Sequence, residues 1–128
     1  MTAAKYDIIL QQGSDEIRTF TLMAPDGVPI NLRTCHAHCQ VRDKAEGEVL
    51  FTPTLELGDW EGWIKWTVAA EQTTGMSFAG LKSQTITENG NTFTGPSAVY
   101  DLEVTYGDGT TQRVLQGNII ISPEVTRG

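Results

Sequence analysis

All-β is the fold class the sequence predicts, on three observations. Apolar and polar residues alternate from Ala98 to Tyr106, Gly107-Asp108-Gly109 turns, and the stretch from Thr111 to Ser122 alternates back. Short strand signals recur through the rest of the chain at intervals typical of a sandwich or barrel. A single short stretch, residues 67–74, favours a helix, and Gly75 ends it after about two turns. Seven or so strands in 128 residues suit one immunoglobulin-like antiparallel β-sandwich over residues 1–128, with one protruding hairpin and at most a short helical connector.

Each strand is bounded by turn chemistry. Residues 6–10 form the first, stopped by Gln12-Gly13-Ser14, and residues 16–23 the second, stopped by Pro25-Asp26-Gly27. Residues 34–42 run to Glu46-Gly47, and residues 49–54 to Gly58-Asp59. In residues 62–68 the three-residue spacing of Trp60, Trp63 and Trp66 would suit a helix. Gly62 and the β-branched Ile64, Thr67 and Val68 favour a strand instead, with Ile64, Trp66 and Val68 on one face and Trp63, Lys65 and Thr67 on the other. Trp66 is then a core residue. Trp63 either lies under a neighbouring loop or stays open to stack on a sugar or anchor an interface. In the final hairpin Tyr100, Leu102, Val104 and Tyr106 face a core while Asp101, Glu103 and Thr105 stay wet.

Residues 73–97 form an inserted arm within the sandwich. Residues 83–87 and 91–94 are strand-like, and Asn89-Gly90 between them suits a type I′ turn. Ile86 and Phe93 are its only large apolar residues, too few for a core of their own. The arm must therefore lie on the domain or on another subunit. The second is favoured, which makes Ile86, Asn89, Gly90 and Phe93 the candidate interface.

Chemistry is sparse. Cys35-His36-Ala37-His38-Cys39 holds the ligand types of a zinc site, but on a strand Cys35, Ala37, Cys39 and Val41 point one way and His36, His38, Gln40 and Arg42 the other, so no metal is expected. The two cysteines, about 13 Å apart along an extended strand, are too distant to bridge. Asp59, Glu61, Asp101 and Glu103 lack the fixed separation of a glycosidase pair, and no nucleophile elbow, phosphate loop or calcium loop occurs. The expectation is no catalytic residue, no cofactor and no enzyme. A net charge of −7 with nine scattered basic residues argues against nucleic acid as partner. No segment approaches the roughly 18 apolar residues of a membrane span, and Met1 to Lys5 carry no secretion-type apolar run. The expected product is a soluble chain made in the cytoplasm, with no membrane contact.

The chain also resembles a family of small β-sandwich structural proteins of tailed bacteriophages and prophages. The residues that carry the resemblance are Tyr6-Asp-Ile-Ile-Leu-Gln-Gln-Gly13, Gly27-Val-Pro-Ile-Asn-Leu32, Gln40-Val-Arg42, Tyr100-Asp-Leu-Glu103, Arg113-Val-Leu-Gln-Gly117 and Ser122-Pro-Glu-Val-Thr-Arg127. The resemblance implies a virion component of the tail, baseplate or neck, made in the bacterial cytoplasm, that forms a homo-oligomer and contacts other virion proteins. The stretch between Thr73 and Ser97 is longer than in that family. The alternative from another class is a glycan-binding module of a phage fibre, with Trp60 or Trp63 as the stacking platform.

Overall fold

The computed structural model describes residues 3–58 and 60–123. The chain runs β1 (Ala4–Lys5), β2 (Ile8–Gln11), β3 (Glu16–Thr21), β4 (His36–Arg42), β5 (Val49–Phe51), β6 (Thr54–Leu57), β7 (Trp63–Val68), α1 (Ala70–Thr73), β8 (Ser83–Glu88), β9 (Asn91–Thr105) and β10 (Thr111–Ser122). Two sheets pack face to face, as expected of an all-β sandwich. The first has the order β1-β10-β9-β4-β5, with β2 also on β10 and β8 on β9; the second is β3-β7-β6.

The core lies between the sheets. Val41 of β4, Ile64, Trp66 and Val68 of β7, and Leu102 and Val104 of β9 are all within 1% of complete burial. Each comes from the face that two-residue alternation assigns inward, and burying an aliphatic side chain of this size is worth about 1.5–3 kcal/mol. The closing hairpin needs one correction to strict alternation. Its register shifts between Arg113 and Leu115, so that Arg113 sits opposite Glu103 on the wet face and Leu115 opposite Leu102 in the core. This bulge brings Ile119 and Ile121 inward together with Leu115.

Three sequence expectations are corrected. The strand expected over residues 6–10 starts only at Ile8, as β2, split off by Tyr6 and Asp7 from the two-residue β1 before it, and both β1 and β2 pair parallel with β10, so the sandwich is not wholly antiparallel. The split falls where the Asp7 carboxylate, rather than a main-chain carbonyl, accepts the Asn118 amide at 2.9 Å. Gly117 opposite has no room for a Cβ, which would fall on the Tyr6 carbonyl. The strand expected over residues 49–54 stops at Phe51, because Pro53 offers no N–H for the ladder. The chain crosses there to the second sheet as β6. The helix expected over 67–74 shrinks to α1, since Thr67 and Val68 stay in β7 paired with Ile17 and Glu16. The Asp15 carboxylate accepts the Ala70 amide at 2.7 Å, and buried Gln12 donates to the Thr73 and Met76 carbonyls, fastening this connector to the end of β2.

Candidate interaction surfaces

One end of the sandwich is capped by a small hairpin-like loop. Leu22 and Ile30 enter it, Met23 bridges Pro29, and the Gly27 amide donates to the Ala24 carbonyl across the Pro25-Asp26-Gly27 turn. The loop rests on Gly62, whose φ of 70° and closeness to the Leu22 carbonyl admit only glycine; a Cβ there would stand 2.7 Å from that oxygen. Two residues before Gly62, Trp60 projects from the same end, and the Arg33 guanidinium lies 4.4 Å from the centre of its ring. Met23, Val28 and Trp60 are 53%, 56% and 62% exposed. The sequence singled out Trp60 but not Met23 or Val28; their signal is the pair of apolar residues flanking a Pro-Asp-Gly turn, which no core can absorb.

Trp63 takes the covered alternative. It is half-buried, its indole lies over Gly58, where any Cβ would fall inside the ring, and its Nε1 donates to the Glu61 carboxylate at 3.0 Å. Trp66 is fully buried, as its place in the alternation requires. Its indole N–H has no hydrogen-bond acceptor of ordinary geometry. Beside it, burial pushes the Cys39 thiol up to about 12, against a lowering contribution from that same indole.

The arm forms as expected and is anchored to its own domain. β8 pairs with the first residues of β9, and Asn89 and Gly90 take φ of 52° and 80°, as a type I′ turn requires. Ile86 is only 7% exposed, which corrects its place in the candidate interface: its side chain is already covered within this chain. Phe93, Asn89 and Gly90 remain exposed. On the arm's other face Thr85 bonds Thr94 at 2.7 Å across the strands, and Thr87 approaches Thr92 at 3.5 Å. At the tip Glu88 meets Arg18 of β3 at 2.9 Å. Arg18 also donates to the Tyr6 hydroxyl at 2.6 Å. Burial alone would lower its pKa, yet these hydrogen bonds more than offset that and leave it raised. The sequence contains a signal for this latch: Glu16, Arg18 and Phe20 alternate on one side of β3, and two of the three are charged where an apolar residue would be ordinary.

The remaining candidates separate as the alternation implies. Cys39 is buried and Cys35 half-buried, while His36 and His38 are exposed on the other face of β4. Among the described residues no three His, Cys, Asp or Glu side chains gather as a metal-ligand set. Asp59 lies outside the described residues. Asp101 and Glu103 lie on the outer face of the first sheet, where Asp101 meets Arg113 at 3.3 Å. With Lys5, Arg42 and Gln116 they line a shallow polar trough of about 950 Å³.

Fold and surfaces together define an all-β sandwich whose candidate functional features are contact surfaces: an apolar end, an arm and a polar sheet face. No protein-family model matches the chain, and no curated protein matches it.

Proposed function

We propose that the protein is a non-enzymatic structural component of a tailed-phage particle, in its tail, baseplate or neck, working by self-association and by contact with neighbouring virion proteins. The observation that supports a contact role is the exposure of Met23, Val28 and Trp60 at one end of the sandwich. Exposed large apolar groups concentrated in one region mark interaction sites, because leaving them in water costs free energy that a partner recovers. The phage assignment rests on the motif resemblance described above. Repeated copies around a ring would let modest contacts add through avidity.

Quantitative mass spectrometry of particles purified from the source strain tests this reading. Stoichiometric presence is the expected result, and absence from particles overturns it. Phe93→Asp is expected to leave the fold intact, since Phe93 is 39% exposed, while weakening assembly. Normal assembly by that variant removes the arm from the contact surface.

A second reading, glycan binding, is favoured by one observation, the exposure of Trp60 beside Arg33. Arg33 lies over one face of the indole, and the exposure of the residue leaves the opposite face to take a sugar ring. Trp63 no longer supports it, being covered. Sugar-dependent quenching of tryptophan fluorescence that is lost in Trp60→Ala would select this reading over assembly through the same end.

A further inference from the structure

We propose that the free edge of β4 takes up an extended segment of a partner protein as an added strand, and that this segment alternates apolar with basic residues. The proposal deepens the assembly reading, on which it rests, by naming one edge and the chemistry that fits it.

The edge exists because of Pro53. β9 pairs with β4 along its whole length on one side. On the other side β5 pairs only with Val41 and Arg42. Proline has no N–H and disfavours continuation, so the chain leaves the first sheet at Thr52-Pro53. Among the described residues no strand pairs with residues 36–40 on that side. This leaves five residues, about 16 Å at about 3.3 Å per residue, of which every second one directs its main-chain groups away from β9 into a groove. Exposed edges are normally guarded by lysine, proline or a bulge, and residues 36–40 contain none of these.

The groove has walls. It holds about 430 Å³ and runs along β4, with Leu55 of β6 opposite, Thr52 and Pro53 at one end, and Asp101 and Glu103 at its outer rim. An added strand would place alternate side chains on its two sides. Those turned inward meet half-buried Ala37 and Leu55, which suits Val, Ile or Leu. Those turned outward pass His38 and Gln40 toward Glu103 and Asp101, which lie on β9, one strand beyond. Two strand spacings of about 4.8 Å put the β9 backbone about 10 Å from the added backbone, a gap that a lysine or arginine and the facing carboxylate side chain span together by leaning toward each other. Asp101 already meets Arg113, whereas Glu103 pairs with no cation among the described residues. The net charge of −7 acts in the same direction.

The test uses the full chain and three synthetic hexapeptides, with main-chain amide hydrogen exchange as the readout. Acetyl-(Lys-Val)3-amide is expected to slow exchange at alternate amides within residues 36–40. The same peptide N-methylated at every residue keeps its side chains but loses the hydrogen-bond donors of both edges, and it is expected to give no protection. Glu103→Lys, a change on the wet face, should weaken (Lys-Val)3 by about tenfold. Equal protection by (Glu-Val)3 would overturn the charge assignment. Protection that appears without peptide and grows with protein concentration would give the edge to a second copy and overturn the proposal. No protection of residues 36–40 by any peptide also overturns it, and a chain still stoichiometric in particles would then leave the assembly reading standing.

Discussion

The closing hairpin and the arm hairpin share one strand, β9, and use it differently. From Val99 onward β9 has β4 on one side and β10 on the other, and Tyr100, Leu102 and Val104 drop into the core between the sheets. Before Pro96 the same strand has only β8 beside it, Thr92 and Thr94 are exposed, and Phe93 is 39% exposed. Both halves are good strand sequences with ordinary turns. What separates them is how much is covered: three side chains of one half enter the core between the sheets, while the arm buries Ile86 and touches the second sheet through the Glu88–Arg18 pair, so strand propensity makes the hairpin and burial makes it indispensable.

The largest expected effect follows from that contrast. Leu102→Ala removes a completely buried side chain from the middle of the core and should cost about 2–5 kcal/mol, whereas Phe93→Ala in the arm should change stability by less than about 1 kcal/mol. Urea unfolding of the two variants measures the difference. Equal losses would mean that the arm belongs to the same cooperative core, against its exposure.

Alkaline pH should strike the closing hairpin's side of the molecule next. Burial pushes up both the Cys39 thiol, to about 12 from an ordinary 9.0, and the Tyr100 hydroxyl, above its ordinary 10.0. Both groups are neutral when protonated, so the folded chain holds these protons more tightly than the unfolded chain. The stability they contribute is intact below about pH 9. It declines as pH rises, because the unfolded chain releases its protons first, and for Cys39 the decline continues to about pH 12. Each group whose unfolded form has titrated contributes a slope of about 1.4 kcal/mol per pH unit. Urea midpoints from pH 8 to 11 should fall, and Cys39→Ala should flatten the first part of the fall. An unchanged profile in that variant would remove the thiol from this account.

How much of this was legible in the sequence differs by region for physical reasons. The closing hairpin could be read because its two faces meet different media, and Val114-Leu115 after Arg113 even carries the bulge as two adjacent apolar residues. The parallel pairing of β1 and β2 could not be read: Asp7 replaces a main-chain acceptor with a side chain, and nothing in local alternation distinguishes that from a continuous strand. Thr54-Leu55-Glu56-Leu57 alternates plainly, yet Pro53 reads as the end of a strand rather than as a crossing between sheets. Among the tryptophans, the burial of Trp66 follows from alternation alone. The contrast between Trp60 and Trp63 depends on Gly58 lying under one indole and not the other, which only the folded chain decides. The arm's attachment depends on a contact between residues 70 apart, and no local pattern joins them.

That attachment gives the smallest and most discriminating prediction. Arg18 and Glu88 are 17% and 27% exposed at the side chain, so their pair is neither a screened surface bridge nor a fully desolvated one. Glu88→Gln keeps the shape and a hydrogen-bond acceptor for Arg18 but removes the charge. Arg18 retains the Tyr6 hydroxyl, the Ile9 carbonyl and Glu16 at 3.8 Å, so the guanidinium is not stranded and the global loss should be modest, about 0.5–1 kcal/mol. The informative readout is local. If the pair holds the arm to β3, amides of β8 should exchange faster in Glu88→Gln while those of β10 stay as slow as before, because β8 opens without the core. Arg18→Met should loosen the same amides, and combining the two changes should add little further. Uniform acceleration across β8 and β10 would show that arm and core open together, and the division of β9 into an indispensable half and a dispensable one would then be wrong.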